Sequence, residues 1–597
     1  MANNYAINEK DVRFVLYEHL RILDLTRMEP FTGFGREDFE MALNESLKLA
    51  KNVLAPLHEL SDHQGLKFDH GRVTVPKEFH PAYKKFCEGG WIAVSRSPEY
   101  GGGGMPCVLR MMTLEFFEGS CVAFAIYPGL CHGVGHLVES FGDAEMKALY
   151  TERLYRGEWG GTMDLTEPQA GSALAEVKTS AKPIEGKVYK IKGQKQFISC
   201  AEHDLTPNII HMVLARIEGA PAGVRGISLF LVPKRRVAPD GSLGEMNDVS
   251  CIAIEKKMGL HGSPTCQVAF GENDQCLGWL VGEPHQGLPY MFQMMNEARI
   301  SVGIQALAQA AAAYEQALAY CKERIQGPDL GERKGPNVPI IRHPDVRRML
   351  LSMKSMVEGL RALIYLSGYY YDLAKIHPDP AQRERYENLL EILTPICKAY
   401  ASDQGFRVNE TALQCLGGYG YTRDYPIEQF LRDAKITSIY EGTNGIQALD
   451  LLGRKVSMKN GAAWKAITKE IESFADRNHS HPALAAEVED LIQALIGMTD
   501  LTSLLLTRSK EDLRGFALSA TPYLESMGDL VVAWLLLEQA AIAHTRWQEP
   551  GADQEFYQAK ITTARYFAHE RLPLCQARIK IMRAGDRLPM EMAENAF

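Results

Sequence analysis

At 597 residues, 46% of them hydrophobic and 23% charged, the chain exceeds what one compact core holds and has apolar content for several domains. Its formal net charge of −9 speaks against a general polyanion binder, so no nucleic-acid partner is expected. Twelve cysteines stand singly without a CxxC pair, and the opening MANNYAINEK has neither a basic nor an apolar stretch; a reducing, cytoplasmic setting is expected.

From Glu9 to about Gly157 the pattern is helical, with helices expected over 38–60, 76–89 and 106–141 and breakers such as GGGG at 101–104 between them. An all-helical first domain, 1–157, follows. Strand-like pieces then occupy 177–181, 187–199, 209–216 and 226–233. Glu185-Gly186 reads as a hairpin turn, and Tyr189 and Ile191 alternate with Lys190 and Lys192 as on a strand with one wet face. This block predicts a middle β domain, 158–286. Helical periodicity returns with the alanine-rich run 297–326, stopped by Gly327 and Pro328, and continues over 343–373, 383–416 and 446–452. These form a helical bundle, 287–455. A fourth domain, 456–597, is helical at 484–507, 523–545 and 554–584, and its 15 Lys and Arg against 19 Asp and Glu leave no basic excess. Its longest apolar run, 530–543, contains Glu538, so no integral membrane segment is expected.

No GxGxxG after a strand, GxxxxGK[ST], HExxH or GxSxG occurs, which weighs against Rossmann, P-loop, zincin and hydrolase chemistry. His203 and His211 lack a metal-ligand spacing and read as solvated or core histidines; no metal site is expected. Four stretches stand out. In SIYEGTNGIQALDLLGRK, 438–455, Glu441 precedes a glycine-bounded turn that opens a short helix. Asn444 with Gln447 reads as a capping box, Gly445 admits a ligand close to the backbone, and Gly453 reads as the helix stop. A helix start beside a carboxylate suits an anionic group next to a base, and it equally suits an ordinary capped helix. TMDLTEPQAGS, 162–172, offers Thr166 and Ser172 hydroxyls beside a Pro168 turn, or a plain connecting loop. KQFIS, 195–199, puts Phe197 and Ser199 on one strand face, against a ring system or within a core. QCLGGYGY, 414–421, bends tightly enough to admit a cofactor backbone, or simply ends a helix.

Taken in order, TEPQAGS, KQFIS, ERIQG at 323–327, LGGYGYTRDYPIEQFLRDAKI at 416–436 and IYEGTNGIQ resemble an acyl-CoA dehydrogenase over about residues 40–455. YAINEKDVRFVL and the helical tail resemble the long bacterial branch that includes 3-methylmercaptopropionyl-CoA dehydrogenases. The resemblance implies a mainly α protein with a central β domain: a helical domain, a β-barrel-like domain and a helical bundle, plus a C-terminal helical extension. It also implies an FAD-dependent α,β-desaturation of an acyl-CoA thioester to the trans-2-enoyl-CoA, with electrons passed to an electron-transferring flavoprotein. Glu441 matches the family's base, and its main-chain amide would stabilise the enolate.

By the same resemblance, Met163, Leu165 and Thr166 edge the isoalloxazine, Phe197 and Ser199 pack and bond on its other side, and Thr443 contacts the flavin. Arg324 matches an arginine reaching the FAD pyrophosphate of a neighbouring subunit, and Gln414 and Gly418 line the same dinucleotide, which implies a homo-oligomer, dimer or tetramer. Ser172 falls near the pantetheine, and Arg299 near the CoA moiety. Three departures touch surrounding groups rather than the base: Ala173 where a carboxylate is familiar, Phe197 for tryptophan, and Gly445 for glutamine. Glu297 is the runner-up base. Two alternative functions are an acyl-CoA oxidase and a flavin-bearing nucleic-acid-binding relative of the DNA-alkylation-response type; the latter would need a basic tail, which this chain lacks.

Overall fold

The computed structural model describes residues 5–597; residues 1–4, where the expected first domain begins, lie outside the described residues. The chain divides into two compact units, one built from Glu40–Met105 and Phe116–Ala298, the other from Ala6–Phe39, Pro106–Glu115 and Arg299–Phe597.

In the first unit, five strands close on themselves. Val188–Ser199 pairs antiparallel with Leu277–Leu280, which pairs with Ile227–Pro233, which pairs with Ile209–Ile217. Ser180–Glu185 closes the ring, antiparallel to Val188–Ser199 and parallel to Ile209–Ile217. Gly160–Asp164, Thr265–Phe270 and Val249–Ile254 extend the sheet to eight strands. A strand inside such a ring is covered on both sides, which is why IIHMVLARI is nearly continuously apolar. Its Val213 and Ala215 join one core with Tyr189, Ile191 and Phe230, while Ile210, Met212 and Leu214 join another with Val134, Leu137 and Met294. The expected hairpin forms with its turn one residue later, at Gly186-Lys187: Glu185 still pairs with Val188, and Gly186 takes φ +54°. The strand expected at 177–181 starts instead at Ser180, because a short 3-10 turn, Leu174–Glu176, occupies the approach.

The first segment is not all-helical. Lys67–Asp69 and Arg72–Thr74 form an antiparallel hairpin whose His70 and Gly71 take positive φ, +45° and +78°, as a primed two-residue turn requires. Strands of three residues carry too little alternation to be seen in the sequence.

The second unit is mainly helical. Pro344–Ile376 and Pro380–Cys415 form a long helical hairpin, and Ala520–Trp547 with Gln554–Ala584 forms another. Their crossing depends on a missing side chain, since a Cβ at Gly528 would run into the Tyr400 ring. The helix expected at 297–326 runs from Gly287 to Glu323; Ile325–Pro328 leaves it and pairs with Asn337–Pro339. Three helices, Cys107–Phe141, Ala485–Arg508 and Ala520–Trp547, are long and apolar enough to cross a membrane by length and composition, contrary to the reading of residues 530–543. In the first and third, 72% and 83% of the apolar window is buried within the protein, the pattern of core helices.

Candidate functional site

In the second unit, the helix Ile427–Ala434 and the 3-10 turn Lys435–Ser438 lead the chain to Glu441, which takes φ +56°, followed by Gly442 at +84°. A left-handed glutamate costs about 1–2 kcal/mol, so the surroundings must hold it. The Gln447 amide does so, donating to the carbonyls of Glu441 at 3.3 Å and Gly442 at 3.5 Å. No backbone carbonyl among the described residues accepts from the Glu441 amide.

The capping box does not form. Thr443 is the N-cap, its Oγ1 accepting from Ile446 N at 3.4 Å. Asn444 is the first residue of the helix and its side chain is engaged elsewhere: Oδ1 accepts from Lys398 Nζ at 2.8 Å, and Nδ2 donates to Asp403 Oδ1 at 2.8 Å and Ala399 O at 3.2 Å. Gly453 is no stop either; it lies within a π turn, Leu451–Lys455, that prolongs the helix. Gly445 is exposed with open space beside its Cα, as a ligand approach would need.

Glu441 is half-buried, and desolvation raises its carboxyl to about 7 against the pull of Arg299 and Lys398. Arg299 is buried, its Nη1 3.7 Å from Asp450 Oδ2, and desolvation lowers its proton affinity. Lys398 is fully buried, and desolvation brings its ammonium down to about 7, opposed by Glu441 and Asp403. Nothing in the sequence reading pointed to Lys398; the signal available was a lysine within the apolar stretch ICKAYA.

A cavity of about 510 Å³ in the same unit is lined by Arg324, Gln326, Gln414, Gly417, Gly418 and Tyr419, among others. Arg324, Gln414 and Gly418 are thus brought together as expected. Gly417 and Gly418 have open space where a Cβ would stand, so backbone faces the cavity directly, and Arg324 is an exposed cation on its wall. An open glycine cradle with a guanidinium suits a phosphate-bearing group.

The first unit holds the flavin-side candidates. Met163 lies within Gly160–Asp164 and Leu165 directly follows that strand, buried in the core, while Thr166 accepts from Gln196 N at 2.9 Å through its carbonyl. Phe197 sits where the ladder to Thr265–Phe270 shifts register, at φ +61°, and is 58% exposed. That excludes a core aromatic and leaves a flat apolar surface open for a ring. Ser199 is half-buried and pairs with Thr265, while Ser172 is exposed.

This loop is pinned by a pair the sequence reading missed. Fully buried Lys195 donates to Glu167 Oε1 at 2.9 Å, Leu165 O at 3.0 Å and Leu214 O at 2.8 Å. Burial alone would raise the Glu167 carboxyl, but Lys195, the Thr179 hydroxyl and the Lys178 amide outweigh it and bring it to about 2. Glu167 therefore supports the loop in which Ala173 offers no carboxylate. Glu297 is engaged in this unit by His132 Nε2 at 2.8 Å, His136 Nδ1 at 2.7 Å and Arg96 Nη2 at 3.7 Å. His203 and His211 are core residues, the latter with Nδ1 3.0 Å from Asp164 Oδ2. Among the described residues no three His, Cys, Asp or Glu side chains are grouped so as to hold a metal ion.

Comparison with known proteins agrees along the chain. Residues 36–158, 162–272 and 285–456 match the N-terminal, middle and C-terminal domains of acyl-CoA dehydrogenase, and 467–593 match an acetyl-CoA dehydrogenase C-terminal-like domain. A butyryl-CoA dehydrogenase of Syntrophomonas wolfei is 38% identical over 607 residues, covering 100% of this chain and 99% of that protein. The 3-methylmercaptopropionyl-CoA dehydrogenase of Ruegeria pomeroyi is 38% identical over 588 residues, covering 98% and 99%. Among solved structures, an acyl-CoA dehydrogenase of Bacillus anthracis complexed with FAD shares the fold, with a TM-score of 0.73 at 23% identity over 95% of this chain and 91% of that one.

Proposed function

Because the chain belongs to the acyl-CoA dehydrogenase family and is an oxidoreductase acting on acyl-CoA, we propose that it desaturates an acyl-CoA thioester to the trans-2-enoyl-CoA with FAD, passing electrons to an electron-transferring flavoprotein. The observation that carries this reading is the Glu441 turn: a half-buried carboxylate at φ +56°, raised to about 7 by desolvation against the pull of Arg299 and Lys398. A general base works best with a pKa near the operating pH, and an α C–H next to a thioester is a weak acid that needs one. Glu441 takes the α proton, the C–H electron pair passes into the thioester as enolate, and the Glu441 amide donates to the enolate oxygen. Met163, Leu165, Thr166, Phe197, Ser199 and Thr443 hold the isoalloxazine; Arg324, Gln414 and Gly418 hold the dinucleotide part. Bound FAD supplies the acceptor for the hydride that leaves the β carbon. Ser172 and Arg299 serve the CoA thioester. This reading keeps the four-domain division at 157, 286 and 455, and makes the protein a homo-oligomer in which Arg324 serves a neighbouring copy.

The test is anaerobic bleaching of the bound flavin with a panel of acyl-CoAs that includes butyryl-CoA and 3-methylmercaptopropionyl-CoA, on the natural protein and on E441Q. Both proteins should be yellow, and the substitution should slow bleaching by at least about 10²-fold, the scale of lost general-base catalysis. Full-rate bleaching in E441Q would remove Glu441 as the base. A protein that takes up no FAD would remove the whole reading.

A further inference from the structure

Two cations face Glu441, and they are not equivalent. Arg299 is engaged by Asp450, and Arg454 lies beyond it. Lys398 sits on Pro380–Cys415 at 0% exposure, and its Nζ donates to a neutral acceptor, Asn444 Oδ1, at 2.8 Å. Asp403, on the same helix, is the other anion it faces; Asp403 accepts from Asn444 and is drawn on by Arg407 and Lys435, while the Glu525 carboxylate opposes its charge. An apolar side chain would fill this buried place without desolvating a charge. Asn444, three residues after Glu441, ties the turn to that helix through Lys398, Ala399 and Asp403.

We propose that Lys398 is a positioning residue for the proton abstraction: its buried charge keeps Glu441 in the carboxylate form, and its bond to Asn444 seats the turn that presents Glu441. This rests on the reading of Glu441 as the base. The coupling runs both ways, since Lys398 lowers the proton affinity of Glu441 and Glu441 raises that of Lys398. When Glu441 takes the substrate proton, Lys398 loses the anion that favoured its charge, so the pair resists holding two protons.

The experiment measures two titrations in the FAD-loaded protein: the pH dependence of flavin bleaching, and the Glu441 carboxyl itself by infrared difference against E441Q. K398M removes the charge and the bond; K398Q removes the charge and can still donate to Asn444; K398R keeps the charge. Both neutral variants should move the Glu441 midpoint up by about one pH unit, slowing bleaching on the acid limb about tenfold, while K398R keeps the natural midpoint. A shift in K398M but not in K398Q would overturn the electrostatic role, and superimposed profiles in all variants would overturn the proposal outright. If no acyl-CoA bleaches the natural protein, the desaturase reading fails, while the infrared midpoint still reports whether Lys398 controls Glu441.

Discussion

At the scale of single residues, the site is organised by what surrounds one carboxylate. As the proposed base, Glu441 must be unprotonated to accept a proton, and burial has raised its carboxyl to about 7. Bleaching by acyl-CoA should therefore rise with pH through an apparent midpoint near that value, and a stopped-flow series from acid to neutral pH reads it. A midpoint at the ordinary carboxylate value would mean the carboxyl is solvated in the working protein. The IYEG pattern is what singles out Glu441 as the proposed base. Its left-handed backbone was not legible in the sequence, since φ is set by Gln447 bonding two carbonyls from across the turn. Lys398 was invisible for a related reason. A lysine in an apolar run reads as a surface residue until the fold shows that its helix face is covered.

At the scale of elements, the strand Val188–Ser199 shows where alternation holds and where it fails. Tyr189 and Ile191 are buried and Lys190 and Lys192 exposed, as the two-residue period requires. At Lys195–Phe197 the register shift inverts the usual placement, burying a lysine and exposing a phenylalanine. Periodicity cannot anticipate a bulge, so the pairing of Lys195 with Glu167 emerged only from the structure. That pair makes a stability prediction. E167Q leaves a buried ammonium without its counter-charge and should cost about 3–5 kcal/mol, read as a lowered thermal midpoint at neutral pH. The natural protein carries this stabilisation above the ordinary glutamate range and loses it as pH falls towards about 2, because the folded carboxyl is depressed to that value. E167Q should therefore lack part of the acid dependence of the natural protein.

At the scale of the molecule, the order helices, strands, helices was legible from the change in period, and so was the helical tail, whose segment 554–584 coincides with the observed Gln554–Ala584. What the tail does was not legible. Within the second unit its last long helix sends Lys560 to Asp11, 2.7 Å away, and Arg361 of Pro344–Ile376 bonds both Asp11 and Glu115. Lys560 also meets Glu358 at 2.7 Å. All five side chains are buried. Burial would raise the Asp11 carboxyl, but Lys560 and Arg361 bring it to about 2. D11N removes the shared anion of two buried cations, and a loss of about 3–5 kcal/mol is expected in chemical denaturation of the natural and substituted proteins. An unchanged midpoint would mean that the cluster relaxes around the amide.

The Asp11–Lys560 bond joins positions 549 residues apart in the chain. During synthesis, Asp11 leaves the ribosome first and the lysine that completes its surroundings follows roughly 30–110 s later, at about 5–20 residues per second. Until then the second unit holds a cluster short of one cation, and Pro344–Ile376, Ala485–Arg508 and Ala520–Trp547 lack the helix that packs on them. A chain cut short by even its final fifty residues would lack Lys560 altogether. A chain ended before Lys560 should therefore unfold at lower denaturant than the full chain, its second unit left with Asp11 short of a cation.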